Sequence, residues 1–333
     1  MLPRTVADFV DESVTSRLAG SPGDCTDPGC ARHAGTMNCP PFKTSRSSGP
    51  EFGEAVAAAW YAAGGSRLDI PAGVVAALAL WPAKSPGAKD ADALASYIAA
   101  QPPRVLVRGL AESANSYWGL RPDLWEVSRP LFDWAQEDLN STQLNGVASV
   151  AKAALRHGVL LHTGDSDPAE RSHIDLMSWV ITSLRHHESR RAMGEYHTPP
   201  DISDLISTML TSDSRPQPQG DAFIEPTAGT GGMVRSAAQD LRREGQDPSD
   251  FAWVMLELDP LSAAGAAVNV HVWGLGPRAV VANGDVLAHG DLDQQARTYQ
   301  RDMARHRDML VELIGFAIAT RTSERLLHAL LTQ

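Results

Sequence analysis

Cysteine, positive charge and long apolar runs are all scarce in this chain, and each shortage removes a class of protein. Three cysteines occur in 333 residues. They are few and odd in number, which argues against a disulfide-stapled framework. Lysine and arginine together number 29 against 40 acids, a formal net charge of −11. That balance disfavours a non-specific nucleic-acid binder, although a local basic face can sit on an acidic protein. No apolar run approaches the ~20 residues that cross a bilayer. The opening MLPRTVADFVDESV has acids where a signal peptide has its apolar centre. The expectation is a cytoplasmic protein with no membrane contact. The length suffices for a sizeable core, in one large domain or two ordinary ones.

What is present changes along the chain. Residues 1–50 are rich in Cys, Pro and Gly and show neither a helical nor a strand period, so they read as loop, linker or a small metal-stapled unit. Cys25, Cys30, His33 and Cys39 fall within fifteen residues, spaced C-x4-C-x2-H-x5-C. Three thiolates and an imidazole satisfy tetrahedral zinc, which would be structural here. The alternative is a flexible leader with reduced thiols. Residues 51–190 read as a mainly helical domain. Val147, Val150, Ala151 and Ala154 share one helical face, as do Ile174, Met177, Ile181 and Leu184. Within this region RVLVRGL and GVLLHTG read as short strands. Residues 291–333 read as a helical tail.

Residues 191–290 have another style. GEYHTPPDISDLISTML reads as a tight loop and a helix whose Ile202, Leu205, Ile206, Met209 and Leu210 form an apolar stripe. AFIE reads as a short buried strand. A helix, the strand FAWVMLE, a second helix from Pro260 to Gly274 and the strand RAVVANGD follow. Strand–helix–strand alternation predicts parallel strands joined by crossovers. The expected fold is α/β: a partial Rossmann-like sheet beside the mainly α-helical N-terminal region and the helical tail.

Three glycines fall within four residues after the first strand, in FIEPTAGTGGMVRSA. Ligands of a parallel sheet bind at the carboxyl ends of its strands. Glycine lets backbone approach a ligand and adopt positive φ. A phosphate-binding P-loop needs Lys and Ser/Thr at the helix start, and Met233 and Val234 stand there. The dinucleotide fingerprint needs glycine at positions one, three and six, and the sixth from Gly229 is Val234. S-adenosylmethionine (SAM), which carries no phosphate, needs only room and polar contacts. Glu257 ends the second strand, where a carboxylate can accept both ribose hydroxyls. Asp285 follows the third strand and can accept from an adenine amino group.

These stretches, from GEYHTPPDISDLI through FIEPTAGTGGMVRSA and LELDPLSAAGAAVNVHVWG to NGDVL, resemble the N6-adenine DNA methyltransferases. The likeness is strongest to the modification subunit of type I restriction systems, and it covers residues 194–290. It implies that the loop with Tyr196, Thr198 and Pro199 contacts the methionine part of SAM. It also implies that Glu225, Pro226, Gly229, Thr230, Gly231 and Gly232 form the cofactor turn, with Glu257 and Asp285 as further contacts. Glu225 replaces the usual Asp, and Thr227-Ala228 the usual Ala-Cys; Asn269 and Gly274 match. DNA would be the substrate, with a specificity or partner methyltransferase subunit alongside.

One element of that family is missing from the sequence. Its catalytic Asn-Pro-Pro-Phe/Tyr accepts the amino hydrogens of a flipped adenine and stacks on its ring. After NGD the chain reads VLAHGDLDQQARTYQRDMARHRDML, with neither a strand nor this motif. The one partial match is Asn38, Pro40, Pro41 and Phe42, interrupted by Cys39, so no catalytic residue is assigned. The alternative reading is a catalytically inactive SAM- or DNA-binding accessory protein of a restriction-modification or mobile element. A small-molecule methyltransferase is a third reading, disfavoured by the loop around Tyr196. Arg185, Arg190 and Arg191, and Arg297, Arg301 and Arg305 in the tail, are phosphate contacts or, as the preferred reading, solvated helix faces.

Overall fold

A computed structural model describes residues 42–81, 88–185, 198–211 and 222–331. Cys25, Cys30, His33, Asn38, Cys39, Pro40, Pro41, Arg190, Arg191 and Tyr196 lie outside the described residues. From Pro41 onward the chain forms one unit. Six longer helices build its first layer: α1 (Gly49–Ala62), α2 (Asp69–Ala79), α3 (Ala88–Ala99), α4 (Pro103–Leu120), α5 (Ser141–Arg156) and α6 (Leu176–Leu184). Their sequences explain their limits. Asn140 caps α5 by accepting from the Gln143 N–H at 2.9 Å, and the Gln143 side chain accepts from the Asn140 N–H. Such reciprocal caps are worth about 1 kcal/mol. Gly53 lets α1 press against α6, because a Cβ there would collide with the Trp179 carbonyl.

Residues 104–110 and 158–164 are helical rather than extended: they lie in α4 and in a short helix, Val159–Thr163. Both apolar runs are too short for periodicity alone to separate strand from buried helix. In α4 the paired prolines at 102 and 103 set a helix start. Leu106, Leu110, Ala114 and Trp118 then form its buried face.

Beyond α7 (Pro200–Thr211) the chain alternates β1 (Ala222–Glu225), α8 (Gly232–Arg243), β2 (Ala252–Glu257), α9 (Pro260–Val272) and β3 (Ala279–Asn283), and closes with α10 (Leu292–Leu331). The three strands are parallel, in the order β1-β2-β3. Ile224 pairs with Val254, and Glu257 with Asn283. The carboxyl ends of all three strands, at Glu225, Glu257 and Asn283, therefore face one side. β2 is the central strand and is buried on both faces, as its apolar sequence requires. α9 is apolar nearly all round and is buried between the sheet and the helical layer, touching α2 and α6. On the opposite face, Leu292 and Ala296 of α10 pack on Val254, Leu256 and Val280.

One further expectation is corrected. AFIE is not a buried strand: β1 is an edge, and Ile224 is 53% exposed. The apolar stripe of α7 also turns outward, with Ile202, Leu205, Ile206 and Met209 all exposed. α7 instead packs on α8 through its polar side. Asp204 pairs with buried Arg235 at 2.8 Å, and the Ser207 hydroxyl donates to Asp240. Burying those ionic groups fixes the rotation of α7, and the stripe follows.

The start of β3 is held by the helical layer. Arg121, buried just after α4, donates to the carbonyls of Ala279 (2.6 Å) and Gly276 (3.1 Å). Its other face grips Asp123 through two hydrogen bonds of 2.9 and 2.7 Å. Removing one partner of a buried pair leaves an uncompensated charge, at a cost of about 3–5 kcal/mol. Arg121→Leu should lower stability by that amount in denaturant unfolding, and adding Asp123→Leu should restore part of it. A double variant no better than the single one would show that the pair is not the cause.

A second prediction concerns pH. His162 is buried, its Nε2 donates to the Ser47 carbonyl at 3.1 Å, and burial with Arg46 nearby pushes its pKa down to about 4. The unfolded side chain takes its proton near 6.5, so the folded state resists a proton that the unfolded state accepts. The stability His162 confers is complete above that value and falls as pH drops from about 6.5 towards 4. His162→Gln can still donate to Ser47. Its unfolding midpoint should decline less steeply than that of the wild type over this window, and equal slopes would refute the assignment.

Candidate cofactor turn

The turn after β1 is shaped by glycines with different tasks. Gly229 (φ 56°) and Gly231 (φ 98°) both occupy the left-handed region, which side chains resist. Ala228 N–H donates to the Leu256 carbonyl at 2.9 Å, tying the turn to β2, and Gly231 N–H closes back onto Ala228 at 2.8 Å. Gly231 faces the core: a Cβ there would lie 3.0 Å from Trp273 and 3.1 Å from the Met255 sulfur. At Gly229 and Gly232 a Cβ would meet nothing within 4 Å. These two positions leave the outer surface of the turn bare.

Glu257 holds the turn from the sheet side. Its Oε2 accepts from Gly229 N–H at 2.7 Å, and its Oε1 from Asp259 N–H at 2.8 Å. One carboxylate at the end of β2 thus fixes two loops and keeps a lone pair on each oxygen for further donors.

The inner flank is held by a second acid, Asp175, directly before α6. Its Oδ2 accepts the Thr230 hydroxyl at 2.6 Å. Its Oδ1 accepts the Ser178 N–H and the Asn269 amide, each at 3.0 Å. The Asn269 amide also reaches the Thr230 carbonyl at 2.9 Å. Thr230, Asn269 and Asp175 are all buried. Burial raises the Asp175 carboxyl above the ordinary range, and the bonds from Thr230, Ser178 and Asn269 oppose that shift. At the far end of α6, buried Arg185 donates to Asp259 Oδ2 at 2.6 Å, and that oxygen also caps α9 through Ser262 N–H.

The other predicted residues take varied places. Glu225 Oε1 accepts from both the backbone N–H and the hydroxyl of Thr227, each at 3.2 Å. Pro226 is exposed beside it. Asp285 Oδ1 accepts from Leu287 and Ala288 N–H at 2.9 and 3.3 Å, which shapes the loop after β3. Thr198 and Pro199 line a crevice of about 390 Å³ together with Gly232, Asp175, Trp179 and Arg235. The crevice therefore reaches from the loop before α7 to Gly232 at the start of α8. Phe42 packs on the helical layer, with the Arg156 guanidinium 5.5 Å from its ring centre.

Arg185 is spent internally on Asp259 and offers no phosphate contact. Arg301 and Arg305 lie exposed on α10, bonded to Thr298 and Asp302. Among the described residues, no group of three His, Cys, Asp or Glu side chains is placed to hold a metal ion, and no helix is long and apolar enough to cross a membrane. The sequence reading missed Asp175 and the Arg185–Asp259 pair. Asp175 did carry a signal: an acid directly before an apolar helical run is a helix cap.

The division between the glycines is testable by unfolding. Gly231→Ala must tolerate positive φ and a crowded Cβ, and should cost about 1–3 kcal/mol. Gly232→Ala enters open space at a helix start and should change stability by less than about 1 kcal/mol. Equal losses at both positions would contradict the assignment.

The chain has no significant match among curated proteins or solved structures. Residues 175–304 match the family model described as N-6 DNA Methylase. That match opens at Asp175, the acid that grips the turn, and runs past β3 into α10. The segment built around the glycine turn is similar to N-6 DNA methylase domains.

Proposed function

We propose that this domain binds SAM at the glycine turn and serves methyl transfer to the N6 amino group of adenine in DNA. The observation that carries the reading is Glu257. It sits at the carboxyl end of β2, bonded to Gly229 N–H, beside a turn surface left bare at Gly229 and Gly232. A nucleoside needs such a place: a fixed carboxylate for its ribose hydroxyls and a backbone it can approach closely. The residues present fit SAM. Glu257 would accept from the ribose, Asp285 from the adenine amino group, and Tyr196, Thr198 and Pro199 would meet the methionine end. The bound group supplies an electrophilic methyl on a sulfonium. The chain's contribution is to hold that group in one orientation and keep water from it. Methyl transfer to adenine N6 is a direct displacement without a covalent enzyme intermediate, and the amino group gives up a proton.

DNA and a specificity or partner methyltransferase subunit are the proposed partners, in the cytoplasm, and Cys25, Cys30, His33 and Cys39 are a proposed structural zinc site. One observation favours a second reading, a SAM- or DNA-binding accessory role: the 333 residues contain no uninterrupted Asn-Pro-Pro-Phe or Asn-Pro-Pro-Tyr.

Calorimetric titration of SAM tests the shared part of both readings. Saturable binding is expected, weakened at least about tenfold, or roughly 1.4 kcal/mol, by Glu257→Ala and abolished by Gly232→Trp, with circular dichroism confirming that both variants fold. A wild-type protein that takes up no SAM would end the proposal. Mass spectrometry of DNA incubated with SAM and the protein then separates enzyme from accessory by the presence of N6-methyladenine.

A further inference from the structure

We propose that Asp175 is a positioning residue for cofactor binding: it locks the glycine turn in its ligand-ready shape from the side opposite Glu257. The proposal rests on the SAM reading of that turn and adds to it a residue from the helical layer.

The turn has few means of holding itself. Its two left-handed glycines are the most conformationally free residues in any chain, and its outer surface is bare. Only Thr230, between them, has a side chain that can be gripped at this point. Its hydroxyl donates to Asp175 and its carbonyl accepts from Asn269, so its side chain and its carbonyl are both fixed. Thr230 is 3% exposed. Its side chain therefore supports the turn from beneath, and the hydroxyl is spent on Asp175. Glu257 fixes the neighbouring N–H of Gly229. Two carboxylates thus hold adjacent residues of one turn from opposite flanks.

Asp175 is itself held. Ser178 N–H and the Asn269 amide occupy its other oxygen. Because it caps α6, the clamp moves only if that helix moves. α6 is stapled again at its far end by Arg185 to Asp259, two residues beyond Glu257. Both flanks of the proposed cofactor site are therefore referenced to one rigid helix of nine residues, about 14 Å long. A turn held in this way loses no further freedom when a ligand arrives, which raises affinity without adding a contact.

The test uses the full chain with Thr230→Val, Thr230→Ser and Asp175→Asn. Two readouts are taken: calorimetric SAM affinity, and hydrogen exchange of the 226–232 segment without ligand. Thr230→Val deletes the hydroxyl and keeps the shape. It should weaken SAM roughly tenfold or more, as expected for losing a hydrogen bond to a charged group, and should speed exchange in the turn while α5 exchanges as before. Thr230→Ser should recover most of the affinity. Asp175→Asn, where it folds, should resemble Thr230→Val. If Thr230→Val lowers the melting temperature but leaves SAM affinity of the folded protein and turn exchange unchanged, Asp175 is structural only and the proposal fails. If the wild type binds no SAM, the cofactor reading fails separately, and exchange alone decides the clamp: faster turn exchange in Thr230→Val upholds it, and unchanged exchange overturns it.

Discussion

A carboxylate removed from water must be met by donors, and satisfying Asp175 dictates how this molecule is assembled. Its three donors come from three places: the first turn of α6, the glycine turn after β1, and the last turn of α9. None can shift without stranding a buried charge, which costs far more than the bonds contribute net. Helical layer, turn and crossover helix therefore meet in one arrangement. Apolar packing alone would specify this less sharply, because the small residues of α9 slide past one another at little cost.

The glycine turn shows how one short run can serve folding and ligand access together. Gly231 is favoured by its positive φ and by the core, where a methyl group would crowd Trp273 and the Met255 sulfur. Gly229 and Gly232 are crowded by nothing, so neither is explained by packing, although Gly229 also meets a positive φ. Trp273, fully buried, is the wall behind the turn. The two acids have different characters. Glu257 is half-buried and keeps spare acceptor capacity, whereas Asp175 is enclosed.

The alternating stretch after residue 222 was legible because strands and helices there carry punctuation: Pro260 at a helix start, Gly245 and Gly274 at helix ends, acids at strand ends. The resemblance to adenine methyltransferases rested on those same residues, and the family match covers them. What could not be read was orientation. The α7 stripe satisfies a helical period, but nothing local says that Asp204 and Ser207 will be claimed by Arg235 and Asp240 on α8. Burial of β1 was misjudged because a short apolar run looks alike in a centre and at an edge. Asp175 was passed over since its partners lie 55 and 94 residues away. A cap is a local signal; a clamp is known only once the chain has folded.

The Arg121 contact gives the sheet a direction. With the guanidinium seated on the carbonyls of Gly276 and Ala279, the chain is fixed where it enters β3. Among the described residues the margin of β1 carries no such contact, and Ile224 lies uncovered beside it. The two margins of the sheet are thus unlike: one is pinned to the helical layer where β3 begins, and among the described residues the other carries the exposed Ile224.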